Sequence, residues 1–118
     1  MTIIHLYNMA LDFSSDILNL SEDLHNRGQE SLSDWFALRG LTVGAKIAKA
    51  SEASDAKDFI ETMNEATLKA NEALYWIDVI HEAGYMGKIK YELLKYKCNK
   101  IRIEIHKACK AAENIIHN

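Results

Sequence analysis

Residues 59–86, FIETMNEATLKANEALYWIDVIHEAGYM, set the architecture of this chain. Phe59, Met63, Ala66, Ala70, Ala73, Ile77 and His81 recur at steps of three, four and seven, the spacing of one helical face. At 100° per residue they fall within about 40° either side of Ile77, a narrow stripe that does not drift. Three alanines in that stripe let a partner helix come close. Gly84 supplies the stop. Ser54 reads as the cap at the other end, with Asp55 and Asp58 favourable in the first turn. The helix is therefore expected over residues 55–83.

The flanking segments repeat the pattern. Leu6, Met9, Phe13, Ile17, Leu20 and Leu24 give a first helix over about 5–25, closed by Gly28 in a left-handed cap. Ser31 and Asp34 have capping-box spacing and predict a second helix over about 32–50. That helix is apolar on two sides: Phe36, Val43, Ile47 and Ala50 form one face, and Leu38, Leu41, Ala45 and Ala48 nearly the opposite one. Only Arg39, Thr42, Lys46 and Lys49 form a polar strip. Such a helix calls for more cover than a single bundle provides. The fourth helix, over about 88–116, has Leu94, Cys98, Ile101, Ile105, Ala108, Ala112 and Ile115 as its core face. Four long helices with short connections predict one all-α domain over residues 1–118, an antiparallel up-down-up-down four-helix bundle.

Composition agrees. The 118 residues contain no proline and only five glycines, which favours long helices. No apolar run reaches the roughly 18 residues needed to cross a bilayer, so no membrane association is expected. The N-terminal segment lacks a basic region and a small-residue cleavage site, so no signal peptide is expected and the protein is placed in the cytoplasm. Cys98 and Cys109 lie eleven residues apart on one helix, roughly 16 Å, beyond disulfide reach.

The net charge of −3 hides an asymmetry. Residues 1–34 carry one Arg against six acids, and residues 88–118 carry eight Lys and Arg against three acids, a local balance of +5. Either helices of opposite charge meet, or one basic surface serves an acidic partner. Lys88, Lys95 and Arg102 recur by sevens, with Lys110 nearby, and are the candidate nucleic-acid contacts. Leu68, Tyr75 and Val79 lie opposite the core face of the third helix, and Ile89, Tyr96 and Ile103 lie well away from that of the fourth. With Leu38 and Leu41 they read as a subunit seam in preference to scattered surface apolar groups.

Catalytic and metal chemistry find little support. Glu22-x-x-His25 and Asp78-x-x-His81 have the spacing of di-iron ligand pairs, but Glu22 points outward on the helical wheel and no inward acid is found on the second or fourth helix. His81 reads as a hydrogen-bonded residue at the core's edge near a helix C-terminus. Neither cysteine sits in a zinc or redox spacing, and no glycine-rich phosphate loop occurs. No enzyme, cofactor or metal is expected.

Thr42-Val43-Gly44-Ala45-Lys46-Ile47, Lys57-Asp58-Phe59-Ile60, Glu65-Ala66, Ala70-Asn71-Glu72-Ala73-Leu74-Tyr75-Trp76-Ile77 and Glu82-Ala83-Gly84-Tyr85 together resemble a known family. It is the small four-helix bundle family encoded, among other places, in intervening sequences of bacterial large-subunit ribosomal RNA genes. The likeness covers Leu38 to Met86 in detail and the remainder by helix pattern. Lys46 stands where the family tends to have Asn, and Ala48-Lys49-Ala50 where Arg-Glu-Ala is usual. The resemblance implies a cytosolic bacterial homopentamer, a closed ring, without established catalytic activity. A more distant branch with the same bundle serves as accessory protein to reverse transcriptases of diversity-generating retroelements. The leading expectation is thus a non-catalytic oligomeric accessory protein that binds RNA or DNA, or a nucleic-acid enzyme such as a reverse transcriptase, through its basic C-terminal helix. The alternative is a protein-only scaffold with no nucleic-acid role.

Overall fold

The computed structural model describes residues 3–117. Met1, Thr2 and Asn118, the ends of the domain expected over residues 1–118, lie outside the described residues. Four helices follow one another: α1 (Ile3–Asn26), α2 (Glu30–Ser51), α3 (Ala56–Glu82) and α4 (Lys88–His117). Each packs on its neighbours in sequence, and α1 closes the square against α4, more loosely than the other pairs. Among the described residues the backbones of α1 and α3, and of α2 and α4, do not come close, so these helices lie on the diagonals and meet only through core side chains. The body measures 53 × 22 × 19 Å.

The helix ends follow from local chemistry. Gly28 and Gly84 both adopt positive φ, +79° and +86°, a conformation that glycine reaches without a Cβ penalty. At each, the chain closes a Schellman motif: Gln29 N–H donates to Leu24 O and Gly28 N–H to His25 O, as Tyr85 N–H does to Ile80 O and Gly84 N–H to His81 O. The cap of α3 is Asp55, not Ser54 as the sequence suggests. Its carboxylate accepts from Asp58 N–H at 2.8 Å, while Asp58 accepts from Ser54 N–H at 3.2 Å. Two backbone donors are thereby satisfied reciprocally. The Ser31/Asp34 box is not formed either. Helix α2 starts at Glu30, after Gln29, with no side-chain cap, and Ser33 instead donates its hydroxyl to Ser21 O at 2.6 Å.

The core is one cluster running the length of the bundle. Leu6, Phe13, Ile17, Leu20 and Leu24 of α1 meet Phe36, Val43 and Ile47 of α2, Met63, Ile77 and Ile80 of α3, and Leu94, Ile101 and Ile105 of α4. The α3 alanines act as the sequence implies: Ala66, Ala70 and Ala73 are fully buried, and Cys98 Sγ of α4 comes within 3.5 Å of Ala70 O. Helices α1 and α2 approach at Gly40, where an added Cβ would stand 2.5 Å from Ile17 Cγ2. Ile115 departs from expectation. It is 72% exposed, because α4, at 30 residues, is longer than α1, at 24.

Candidate interaction surfaces

Electrostatics across the α1–α4 and α3–α4 grooves absorbs much of the charge asymmetry. Lys97 reaches Asp12 at 2.8 Å and also Asp16, and Lys90 reaches Asp23 at 2.9 Å, so the basic helix pairs with the acidic one inside the chain. The hydrogen bonds to Asp12 and Asp16 raise the Lys97 pKa above the ordinary lysine value. The four candidate nucleic-acid contacts also have partners. Lys95 lies 3.2 Å from Asp78 and donates to Tyr91 Oη at 3.1 Å. Arg102 donates to Asn99 Oδ1 at 2.8 Å, while its buried Nε has no partner among the described residues. Lys110 lies 3.4 Å from Glu113, and Lys88, the most exposed, is 4.0 Å from Glu92.

The α3–α4 turn carries a compact polar cluster. Tyr91 donates its hydroxyl to Asp78 at 2.6 Å, and its ring stacks on His81 with centroids 3.9 Å apart and planes 7° from parallel. His81 Nδ1 donates to Met86 O at 3.0 Å, which ties the turn to the end of α3. The Tyr91 hydrogen bond, with a smaller contribution from Lys95, holds the Asp78 carboxyl below its usual range. Glu22 and His25 of the other candidate pair are exposed. Among the described residues no group of three His, Cys, Asp or Glu is arranged to hold a metal.

One inward acid on α4 escaped sequence reading. Glu104 is 3% exposed, beside Lys107 at 3.4 Å and Lys100 at 3.5 Å on its own helix. Burial pushes its carboxyl up, but Lys107 and Lys100 outweigh this and the net shift is downward. It lines an apolar cleft of about 620 Å³ between the start of α1, the α2–α3 turn and the end of α4. The expectation that α4 holds no inward acid is thus corrected. The signal was present: Glu104 falls between Ile101 and Ile105 in the core register, with lysines four before and three after it.

The expected seam residues are placed at the surface. Leu38, Leu68, Tyr75, Val79, Ile89, Tyr96 and Ile103 are exposed, Ile89 by 84%, and Leu41 is half-buried. A further line, unnoticed in the sequence, runs along α1: Ile4, Leu11 and Leu18, spaced by sevens, with Tyr7 beside them, all exposed. The α1 heptads were legible but were masked by the stronger core stripe of Leu6, Phe13 and Ile17. Beside this line, Gly44, Ala45 and Ala48 of α2 floor a shallow cleft of about 200 Å³.

The comparisons follow the same architecture. No curated protein matches the chain. The bundle is similar to the crystal structure of a protein with unknown function from the S23 ribosomal protein family of Bacteroides thetaiotaomicron VPI-5482. The two share 28% identity and a TM-score of 0.87, over 93% of this chain and 99% of that one. Residues 3–107 match the family described as 23S rRNA-intervening sequence protein. From the first turn of α1 to within ten residues of the end of α4, the chain belongs to the 23S rRNA-intervening sequence protein family.

Proposed function

We propose that the protein is a non-catalytic, self-associating scaffold of the cytoplasm that works through protein contacts. One observation carries this reading: large apolar side chains stand exposed in ordered lines on the helices, while the lysines of α4 are engaged by acids of the same chain. A monomer gains nothing from such lines, and a subunit contact gives them cover. By resemblance the assembly is a ring of five.

A second reading is favoured by the excess of positive charge in residues 88–118 and by the ribosomal RNA in the family's description. It is an accessory protein that docks a nucleic acid or a reverse transcriptase through Lys88, Lys95, Arg102 and Lys110. Phosphates would have to compete with Glu92, Asp78 and Glu113 for three of these cations. Light scattering with absorbance at 260 and 280 nm, on untreated protein at low and high salt, separates the two. The scaffold reading expects a clean oligomer with a protein-like absorbance ratio. Nucleic acid that co-purifies and is stripped by salt supports the accessory reading, and a monomer overturns both.

A further inference from the structure

One end of the bundle, where the start of α1, the α2–α3 turn and the end of α4 come together, is not filled. Ala50, Ala53 and Ala56 on one wall and Ala108, Ala111 and Ala112 on the other are too short to close the space between them. Protein interiors otherwise leave few voids larger than a water molecule. What remains is the open cleft of about 620 Å³, within the ~300–1,000 Å³ of small-molecule sites. Leu6, Phe59 and Ile115 add to its apolar lining. Its α4 wall from Ala108 onward lies beyond the residues that match the family.

Among the described residues, three charged side chains line the cleft: Glu104, Asp55 and Lys107. Glu104 is 3% exposed, so its carboxylate is part of the wall and not of the rim. Lys107 and Lys100 both approach the same oxygen of it, Oε1. Asp55 stands on the facing turn, exposed, with Oδ1 accepting from Asp58 N–H. That turn is itself acidic, since residues 52–58 carry Glu52, Asp55 and Asp58 against Lys57.

We infer that this cleft binds a small aliphatic ammonium ion, its hydrocarbon part between the alanine walls and its charged nitrogen between Glu104 and Asp55. The apolar lining selects a hydrocarbon body, because the surface it covers is otherwise wet. The buried carboxylate selects the head. A molecule that closes the cleft strips water from Glu104, and a carboxylate deprived of water needs a donor, best a charged one. The Oε2 oxygen, on the far side of the carboxylate from the lysine contacts, is the acceptor for it. Lys107, with a side chain 65% exposed on a flexible stem, can turn to solvent and leave room. A ligand with its own carboxylate would instead set like charge against Glu104 and Asp55. The acidic turn adds a field that draws a cation toward the mouth. None of this depends on self-association, so the site and the assembly are tested separately.

Titration calorimetry with octylamine, octanol and octanoate on the full chain tests it. Octylamine should bind with one molecule per chain, and octanol and octanoate should each bind at least tenfold more weakly. From butylamine to octylamine, each added methylene should tighten binding by about fourfold, as burial of a CH₂ does. Glu104→Gln keeps the shape and removes the charge, and should weaken octylamine by about tenfold or more while leaving octanol unchanged. Ala108→Phe and Ala111→Trp fill the cleft and should abolish binding of all three probes. Ala111 is exposed, so its variant keeps the fold, which helical circular dichroism checks. Octanoate or octanol bound as tightly as octylamine would overturn the ammonium as ligand class. Octylamine bound equally well by both filled variants would overturn the location, and no binding of any probe would overturn the site.

Discussion

Gly40 and Gly44 stand one turn apart on α2 and face α1, yet they should answer differently to the same substitution. Alanine at Gly40 would bring its Cβ within 2.9 Å of three atoms of Ile17, a side chain with no exposed surface. Overpacking a filled core costs about 1–3 kcal/mol, more than the ~1 kcal/mol that alanine gains over glycine in a helix. Alanine at Gly44 crowds Ser14 Oγ at 3.0 Å, on a half-buried hydroxyl that can rotate away, and meets Ala10 at an ordinary contact distance of 3.7 Å. Urea denaturation should therefore show Gly40→Ala destabilised by up to about 2 kcal/mol and Gly44→Ala unchanged or slightly stabilised. Equal losses at the two positions would mean that the α1–α2 approach is set by something other than Ile17.

At the level of the elements, the pairing of α1 with α4 is the main electrostatic device of the fold. Lys97 sits 24% exposed between Asp12 and Asp16. Its removal as Lys97→Met should cost about 0.5–1 kcal/mol near neutral pH, the range of partly screened ion pairs. The pKa of Lys97 is raised in the folded state, so its contribution is complete below the unfolded value of ~10.4 and is lost as pH rises through the higher folded value. The difference between wild type and Lys97→Met should thus narrow only above about pH 10.5, read by urea titration at pH 8 and pH 11. Asp78 carries the opposite sign. Its pKa is lowered, so its contribution holds above ~3.9 and fades as pH falls through the lower folded value.

The same elements show what could be read before the fold was known. The stripes of α1, α2 and α3 were legible because core burial selects residues at helical spacing, and Gly28 and Gly84 were legible because only their φ closes those turns cheaply. The partners of the charges were not. That Lys97 meets Asp16 depends on the stagger between α1 and α4, which no local pattern encodes. Helix ends suffered likewise: Ser31 and Asp34 have the spacing of a capping box, but α2 starts without a side-chain cap and tertiary packing hands the Ser33 hydroxyl to Ser21 O. Ile115 continues the core period of α4 without a flaw, and only the shorter α1 leaves it uncovered. Of the surfaces, the α3 and α4 lines were legible as second stripes. The α1 line was not separated from the core stripe beside it.

For the whole molecule, order along the chain and order in space coincide. Consecutive helices are neighbours joined by three short connections, and only the closure of α1 on α4 brings distant sequence together. Topologies dominated by local contacts fold in microseconds to milliseconds. The chain has no proline, so it lacks the prolyl isomerisation that imposes phases of tens of seconds on refolding. Refolding from urea, followed by Trp35 and Trp76 fluorescence, should show a fast phase independent of protein concentration. Any slower phase should accelerate with concentration, as subunit assembly does. A slow phase indifferent to concentration would contradict this reading.

The two thiols of α4 give the bundle a built-in clock. Cys98 is fully buried, and burial pushes its pKa up to about 12, while Cys109, nearer the overhanging end, is shifted in the same direction. A protonated, enclosed thiol does not react with a disulfide reagent until the helix around it opens. Labelling kinetics should accordingly be biphasic, with Cys109 reporting the fraying of the last turns and Cys98 the detachment of α4 from Ala70. The ratio of the two rates would give the free-energy step between local and near-global opening, in native buffer and without denaturant.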